Sequence, residues 1–194
     1  MKLVADTAAL GALEVTTTDG QPIAVGSAWE RGPAVLVWLR HFGCLFCREQ
    51  VKDFMKHQAA LEAKVYTKQA KGIALRFIGI GTPLMAKDFQ ETYAVTAPVW
   101  VDKGRRTYAL LQFRNGWDTV LNPRTILGSL RALSKGQFQG RTTGKPDQQG
   151  GVLVVGPGGK VEYGYASEVA GDHPPVDEVL RAAYAAAAPV RQAS

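Results

Sequence analysis

The chain has 194 residues, 46% hydrophobic and 21% charged, a length and balance that allow one sizeable core and exclude a disordered or disulfide-stapled chain. Its net charge is +6, but the densest basic groups, Lys103, Arg105, Arg106 and Lys68, Lys71, carry no interleaved aromatic stacking motif, so a solvated basic surface is favoured over a nucleic-acid site. No apolar run approaches the roughly 18 residues of a membrane span, and Asp6 stands where a secretory signal needs its apolar centre, so a cytoplasmic protein with no membrane partner is expected.

In chain order, residues 13–25 alternate apolar and polar about Asp19-Gly20, which predicts an N-terminal β-hairpin of two short, accessory edge strands. Residues 34–39, Ala-Val-Leu-Val-Trp-Leu, read as a central strand buried on both faces. Cys44 and Cys47 follow at its carboxyl end. Val51, Phe54, Met55, Leu61 and Val65 then recur at helical spacing, predicting an amphipathic helix over residues 47–70. Residues 73–81 read as a second buried strand closed by Thr82-Pro83, residues 84–93 as a helix and residues 98–102 as a short strand. Residues 104–149 form a helical and loop insertion, with helical pieces over 104–112 and 124–134. Residues 152–155 and 161–165 flank Gly156-Pro157-Gly158-Gly159 as an antiparallel hairpin, and residues 176–187 give a last helix after Pro174-Pro175. We read this as one α/β domain over residues 1–194. A parallel pair followed by an antiparallel edge is the thioredoxin arrangement, a central mixed sheet flanked by helices.

Cys44 and Cys47 are the only cysteines. In a reducing compartment an isolated C-x-x-C points to catalysis or metal binding rather than to a structural bridge. At the first turn of a helix, unpaired backbone N–H groups stabilise a thiolate, and cations add to the effect, so a thiol with a reference pKa near ~8.5 can fall to roughly 3.5–7.5. Arg40, His41 and Arg48 flank the pair and are the first candidates for that support. A zinc site needs about four ligands, and Cys44, Cys47, His41 and His57 make a poor tetrad, so no metal is expected. Gly79-Ile80-Gly81 lacks the third glycine of a dinucleotide fingerprint and Gly159-Lys160 lacks the upstream glycine of a phosphate loop, so no cofactor is expected.

Beyond the cysteines, the chain carries Arg40-His41-Phe42-Gly43-Cys44-Leu45-Phe46-Cys47-Arg48-Glu49, Ile78-Gly79-Ile80-Gly81-Thr82-Pro83, Val99-Trp100-Val101-Asp102 with Arg105, Arg106 and Tyr108, Gln148-Gln149-Gly150-Gly151-Val152, and Gly171-Asp172-His173-Pro174. In this combination it resembles the peroxiredoxin-like branch of the alkyl hydroperoxide reductase and thiol-specific antioxidant superfamily. The resemblance implies a thioredoxin fold, a Cys44/Cys47 dithiol–disulfide cycle, a peroxide or disulfide substrate, and a thioredoxin-like or low-molecular-weight thiol as reductant. It leaves the order of attack open: thioredoxin-like enzymes lead with the position of Cys44, peroxiredoxins with that of Cys47. The arginine that peroxiredoxins carry before the late strand is missing, since that region reads Gln149-Gly150-Gly151. Arg40, Arg48, Arg124 and Arg141 are the possible substitutes. Thr82 is a further supporting candidate, and Gly150 and Gly151 are expected to leave the approach to the cysteines open, with backbone free to hydrogen-bond.

Rival readings remain at this level. The same pair could run thioredoxin-like disulfide exchange, or the protein could be a non-catalytic redox sensor or binding module, because a fold does not fix a function. Another branch of the resemblance reduces lipid endoperoxides with a nicotinamide cofactor, for which the sequence offers no separate motif. Trp100, Phe113, Trp117 and Phe138 suit core packing better than a substrate pocket. His173 is read equally as a turn residue and as a site residue. The oligomeric state is not legible.

Overall fold

The computed structural model describes residue 3 and residues 5–63, 72–116 and 147–187. Strand β1 (Glu14–Thr16) and β2 (Pro22–Ala24) form the expected N-terminal hairpin. It is preceded by helix α1 (Thr7–Ala12), which the sequence reading passed over; Asp6 caps it by accepting a hydrogen bond from the Ala9 N–H at 3.0 Å. The central strands are β3 (Ala34–Trp38), β4 (Ala74–Gly79), β5 (Val99–Val101), β6 (Gly151–Val155) and β7 (Val161–Ala166). Among the described residues these make one sheet in the order β2-β1-β5-β4-β3-β6-β7. The pairs β3–β4 and β4–β5 are parallel; β3–β6, β6–β7 and β1–β5 are antiparallel.

All five residues of β3 are buried, because the strand has a core on each face. Its period of two splits them: Val35 and Val37 join Val152, Val154, Phe77 and both cysteines, whereas Ala34, Leu36 and Trp38 join Leu153, Val155, Ile78 and Tyr108. Burial on both faces explains the unbroken apolar run in the sequence. It also places the chain leaving β3 at the sheet's centre.

Helix α2 (Leu45–Met55) starts earlier than the expected helix over 47–70 and stops well before its end. A second short helix, α3 (Gln58–Glu62), follows after a tightened turn in which the His57 N–H bonds the Phe54 carbonyl at 3.0 Å. The break lets Leu61 stay in the core while its carbonyl receives the Ile73 N–H at 2.8 Å, docking α3 on the chain entering β4. Helix α4 (Pro83–Thr92) begins one residue before the expected helix over 84–93, with Pro83 in its first turn and the Thr82 Oγ1 accepting from the Met85 N–H at 3.3 Å. The helical piece expected over 104–112 is α5 (Arg106–Leu110). The piece over 124–134 lies outside the described residues, with Trp117, Arg124, Phe138 and Arg141. Helix α6 (Val176–Ala186) packs on β6 and β7.

Two close backbone approaches position the site. The Phe42 ring lies over Gly79 and Gly81, where an added Cβ would meet ring carbons at 2.5 and 2.9 Å. Only glycine leaves room for the ring there, so two separated sequence motifs prove to be halves of one contact. Gly150 presses on β3 so closely that a methyl group would collide with the Trp38 carbonyl, and a methyl on Gly151 would strike the Tyr165 carbonyl and the Phe113 ring. Both glycines are buried. They do not open an approach to the cysteines, as the sequence had suggested; they let two strands and the chain between them close. Gly150→Ala should therefore cost roughly 3 kcal/mol of stability, the upper range for overpacking against a backbone that cannot yield. A urea titration reads this directly, and a loss within the surface-mutation range of about 0.5 kcal/mol would contradict the packing described.

Candidate active site

Cys44 is the N-cap of α2 and Cys47 its third residue, so both sulfurs lie at the positive end of the helix. The two are not bridged to each other, and each is only 1% exposed. The chain from β3 supplies the donors. Arg40 contributes twice: its backbone N–H points to the Cys47 Sγ at 3.2 Å, and its Nη1 lies 3.5 Å from the Cys44 Sγ. Its Nε donates to the Gln148 carbonyl at 3.2 Å, which holds the guanidinium against the sulfur. Gln148 is itself pinned, its side-chain nitrogen donating to the carbonyls of Phe113, Arg114 and Gln149. Of the arginines considered as substitutes for the missing one, the described structure brings Arg40 to the sulfurs.

The two thiols are pushed apart. Burial alone would raise Cys44, but a hydrogen bond from the Cys47 thiol, the charges of Arg40 and His41, and the Cys47 N–H outweigh it and hold Cys44 well below the ordinary thiol value. Cys47 moves well above it, through burial and through its bond and charge contact with the Cys44 thiolate, only partly offset by Arg40. These directions describe a pair that would share one proton, held by Cys47.

Other candidates fall around this pair unequally. His41 is buried, and its Nδ1 finds no hydrogen-bond partner among the described residues. Burial lowers its pKa, so near neutrality Arg40 is the larger positive influence on Cys44. Arg48 turns along the helix flank, its guanidinium 4.6 Å from the Tyr93 ring centre. With Phe42, Gly43, Met85 and Phe89 these two line a cleft of about 190 Å³ beside the redox loop. Thr82 spends its hydroxyl on capping α4. Trp100 and Phe113 are buried core residues, Phe113 packing edge-on against Trp38 and Tyr108.

One contributor has no signal in the sequence, and another is left open by it. Gln148 acts through its carbonyl, and a main-chain contact leaves no mark on residue type. His173 stands in a segment the sequence singled out, yet its direction was not legible: its Nε2 lies 3.1 Å from the Phe46 carbonyl, which can only accept, so the ring nitrogen donates. Burial lowers His173, with an opposing pull from Cys44. The loop is set by Asp172, which accepts from the Tyr165 hydroxyl and the Glu168 N–H at 2.5 and 2.7 Å, and by Gly171 beneath the Phe46 ring, its φ at +84°. It clips the first turn of α2.

A mixed sheet whose central strand delivers a C-x-x-C pair to a helix N-terminus defines a thiol-dependent redox protein of the thioredoxin fold. Comparison with known proteins narrows this: the model of the AhpC/TSA antioxidant enzyme family matches residues 60–168, and the chain belongs to that family. The matched span begins after the cysteines. Among curated proteins, the chain is 32% identical to the chloroplastic thioredoxin-like protein AAED1 of Arabidopsis thaliana, over 89% of this chain and 71% of that one. It is 27% identical to human peroxiredoxin-like 2C, over 90% and 78%, and 30% identical to the prostamide/prostaglandin F synthase of Danio rerio, over 89% and 85%. Among solved structures, the peroxidoxin BcpB of Mycobacterium tuberculosis superposes with a TM-score of 0.65 at 18% identity, covering 95% of this chain and 97% of that one. A secreted M. tuberculosis disulfide oxidoreductase homologous to DsbE gives 0.56 at 15% identity, covering 93% and 99%. At these identities the structures speak for the fold.

The ultraviolet absorbance of thiolate should rise in two separate steps on titrating the reduced protein, the first well below the ordinary thiol range. Arg40→Gln should move the first step up by about 1 to 2 pH units, whereas a single unshifted step would refute the proton-sharing pair. His41 and His173 have lowered folded pKa values, so the unfolded chain takes up their protons first. Stability from both is present above the ordinary histidine value of ~6.5 and is lost as pH falls below it. The urea midpoint should drop between about pH 7 and 5.5, and less steeply in His173→Gln.

Proposed function

We propose that this protein is a two-cysteine thiol peroxidase that reduces hydrogen peroxide or small organic hydroperoxides, with Cys44 attacking and Cys47 resolving. The observation that carries this reading is a Cys44 side chain only 1% exposed whose sulfur lies 3.5 Å from the Arg40 Nη1. A protein disulfide needs a sulfur at the surface, whereas a peroxide of a few atoms needs only a small opening. The Arg40 guanidinium is placed to steady both the thiolate and the oxygen it attacks.

In the first step the Cys44 sulfur bonds the terminal peroxide oxygen, the O–O bond breaks, and the departing alkoxide takes the Cys47 proton and leaves as alcohol. The Cys47 thiolate then attacks the sulfenic sulfur, forming the S–S bond as hydroxide leaves and is protonated by solvent to water. Two equivalents of an external thiol restore the dithiol. A peroxide bond is also the feature that an endoperoxide shares, which keeps lipid peroxides among the substrates to be tried.

Disulfide exchange is the second reading, favoured by one feature: the low-pKa cysteine is the first of the pair, as in thioredoxin-like enzymes. Stopped-flow mixing of reduced protein with hydrogen peroxide, followed by tryptophan fluorescence and intact mass, separates them. Cys44→Ser should abolish the fast oxidation, and Cys47→Ser should retain it and stop at a sulfenic acid. Oxidation of the wild type no faster than a free thiol would move the assignment to exchange.

A further inference from the structure

Tyr108 is fully buried behind the cysteines, on α5, and its hydroxyl reaches the Leu39 carbonyl at 2.5 Å and the Ile78 carbonyl at 3.1 Å. The Leu39 carbonyl belongs to the same peptide unit as the Arg40 N–H, and that N–H points at the Cys47 Sγ at 3.2 Å. A donor on one end of a peptide polarises it and strengthens the donor at its other end. The geometry points to Tyr108 as a positioning residue that tunes Cys47 through the Leu39–Arg40 peptide, favouring the Cys47 thiolate when it attacks the oxidised Cys44.

The phenol is held in place for this. Asp102 accepts from the N–H groups of Arg106 and Thr107 at 3.1 and 2.8 Å and from the Thr107 hydroxyl at 2.6 Å, while Trp38 Nε1 donates to the same hydroxyl at 2.9 Å. These bonds tie the start of α5 to β5 and β3. The Phe113 ring packs edge-on against Tyr108, with centroids 5.8 Å apart. Burial, and then the charges of Asp102 and Cys47, push the phenol pKa well above its ordinary value, so Tyr108 stays a donor and does not shuttle protons. It touches neither sulfur. The charged groups acting on Cys47 are Cys44 and Arg40, and Tyr108 reaches it only through the peptide.

The step served is resolution: the Cys47 sulfur bonds the Cys44 sulfur, the Cys44 S–O bond breaks, and hydroxide leaves to become water with a solvent proton. Its role in that step rests on the peroxidase reading above. Tyr108→Phe should leave the rate of Cys44 oxidation within about twofold but slow disulfide closure by up to about tenfold, the reach of one hydrogen bond. Sulfenic acid should then accumulate and be trapped by a carbon nucleophile. In a Cys44→Ser background, where no peroxide chemistry is needed, Tyr108→Phe should move the Cys47 thiolate absorbance step to higher pH. That arm reads the tuning even if the wild type proves no peroxidase. Leu10→Ala, a core change in the same cluster as Tyr108 and on the sheet face away from the cysteines, controls for lost stability and should alter neither readout. Replacing Tyr108 by a fluorinated tyrosine, a stronger donor of the same shape, should shift both readouts in the opposite direction. An unchanged Cys47 step in both Tyr108 variants, or equal slowing of both oxidation steps by Tyr108→Phe and Leu10→Ala, would overturn the assignment.

Discussion

Keeping a sulfur anionic in a dry interior is the constraint on which the rest of this structure depends. Burial is the largest single influence on Cys44 and it acts against the charge; the helix terminus, the Cys47 thiol and Arg40 must together exceed it. That balance explains why Arg40 is not left on a flexible tether. Its Nε is fixed by the Gln148 carbonyl, and Gln148 is fixed by three further carbonyls. A guanidinium free to swing into solvent would lose much of its hold on the sulfur, because screening by water weakens a charge contact severalfold.

The fold meets this demand by converging distant segments on the carboxyl end of β3. Phe42 wedges the redox loop against the β4 turn, Gly150 brings the chain entering β6 hard against Trp38, and the clip carrying Gly171 and His173 closes over Phe46. The β4 turn, the Gly150 segment and the clip lie far from the cysteines in sequence. The site is therefore assembled only when the sheet is complete, and its electrostatics depend on long-range packing as much as on the helix that bears the thiols.

Much of this was legible in the chain. Continuous apolar runs marked β3 and β6 because those strands are covered on both faces, β4 was marked by apolar residues about the half-buried Arg76, and the C-x-x-C stood where a strand meets a helix. What was not legible depended on side-chain direction and on main-chain partners. Arg40 and Arg48 are equal neighbours of the cysteines in sequence, but the first turns back over the sulfurs and the second lies on Tyr93. Gly150 and Gly151 suggested open space; they are glycines because the backbone is crowded. The interruption between α2 and α3 has no proline or glycine to announce it, since the docking of Leu61 and Ile73 imposes it. The Asp6 cap of α1 was readable and was weighed only against a secretory signal.

The Arg40 guanidinium has a bearing on energy storage as well as on reactivity. Every interaction that favours the anionic dithiol disappears when the two sulfurs join, because a disulfide carries no charge for Arg40 or for the helix terminus to meet. The reduced form is thereby stabilised relative to the oxidised one, and a Cys44–Cys47 bond formed at this site would be a comparatively oxidising one. Such a bond would be easily returned to the dithiol by a modest thiol donor, so the charges that favour an anionic sulfur also favour its recovery.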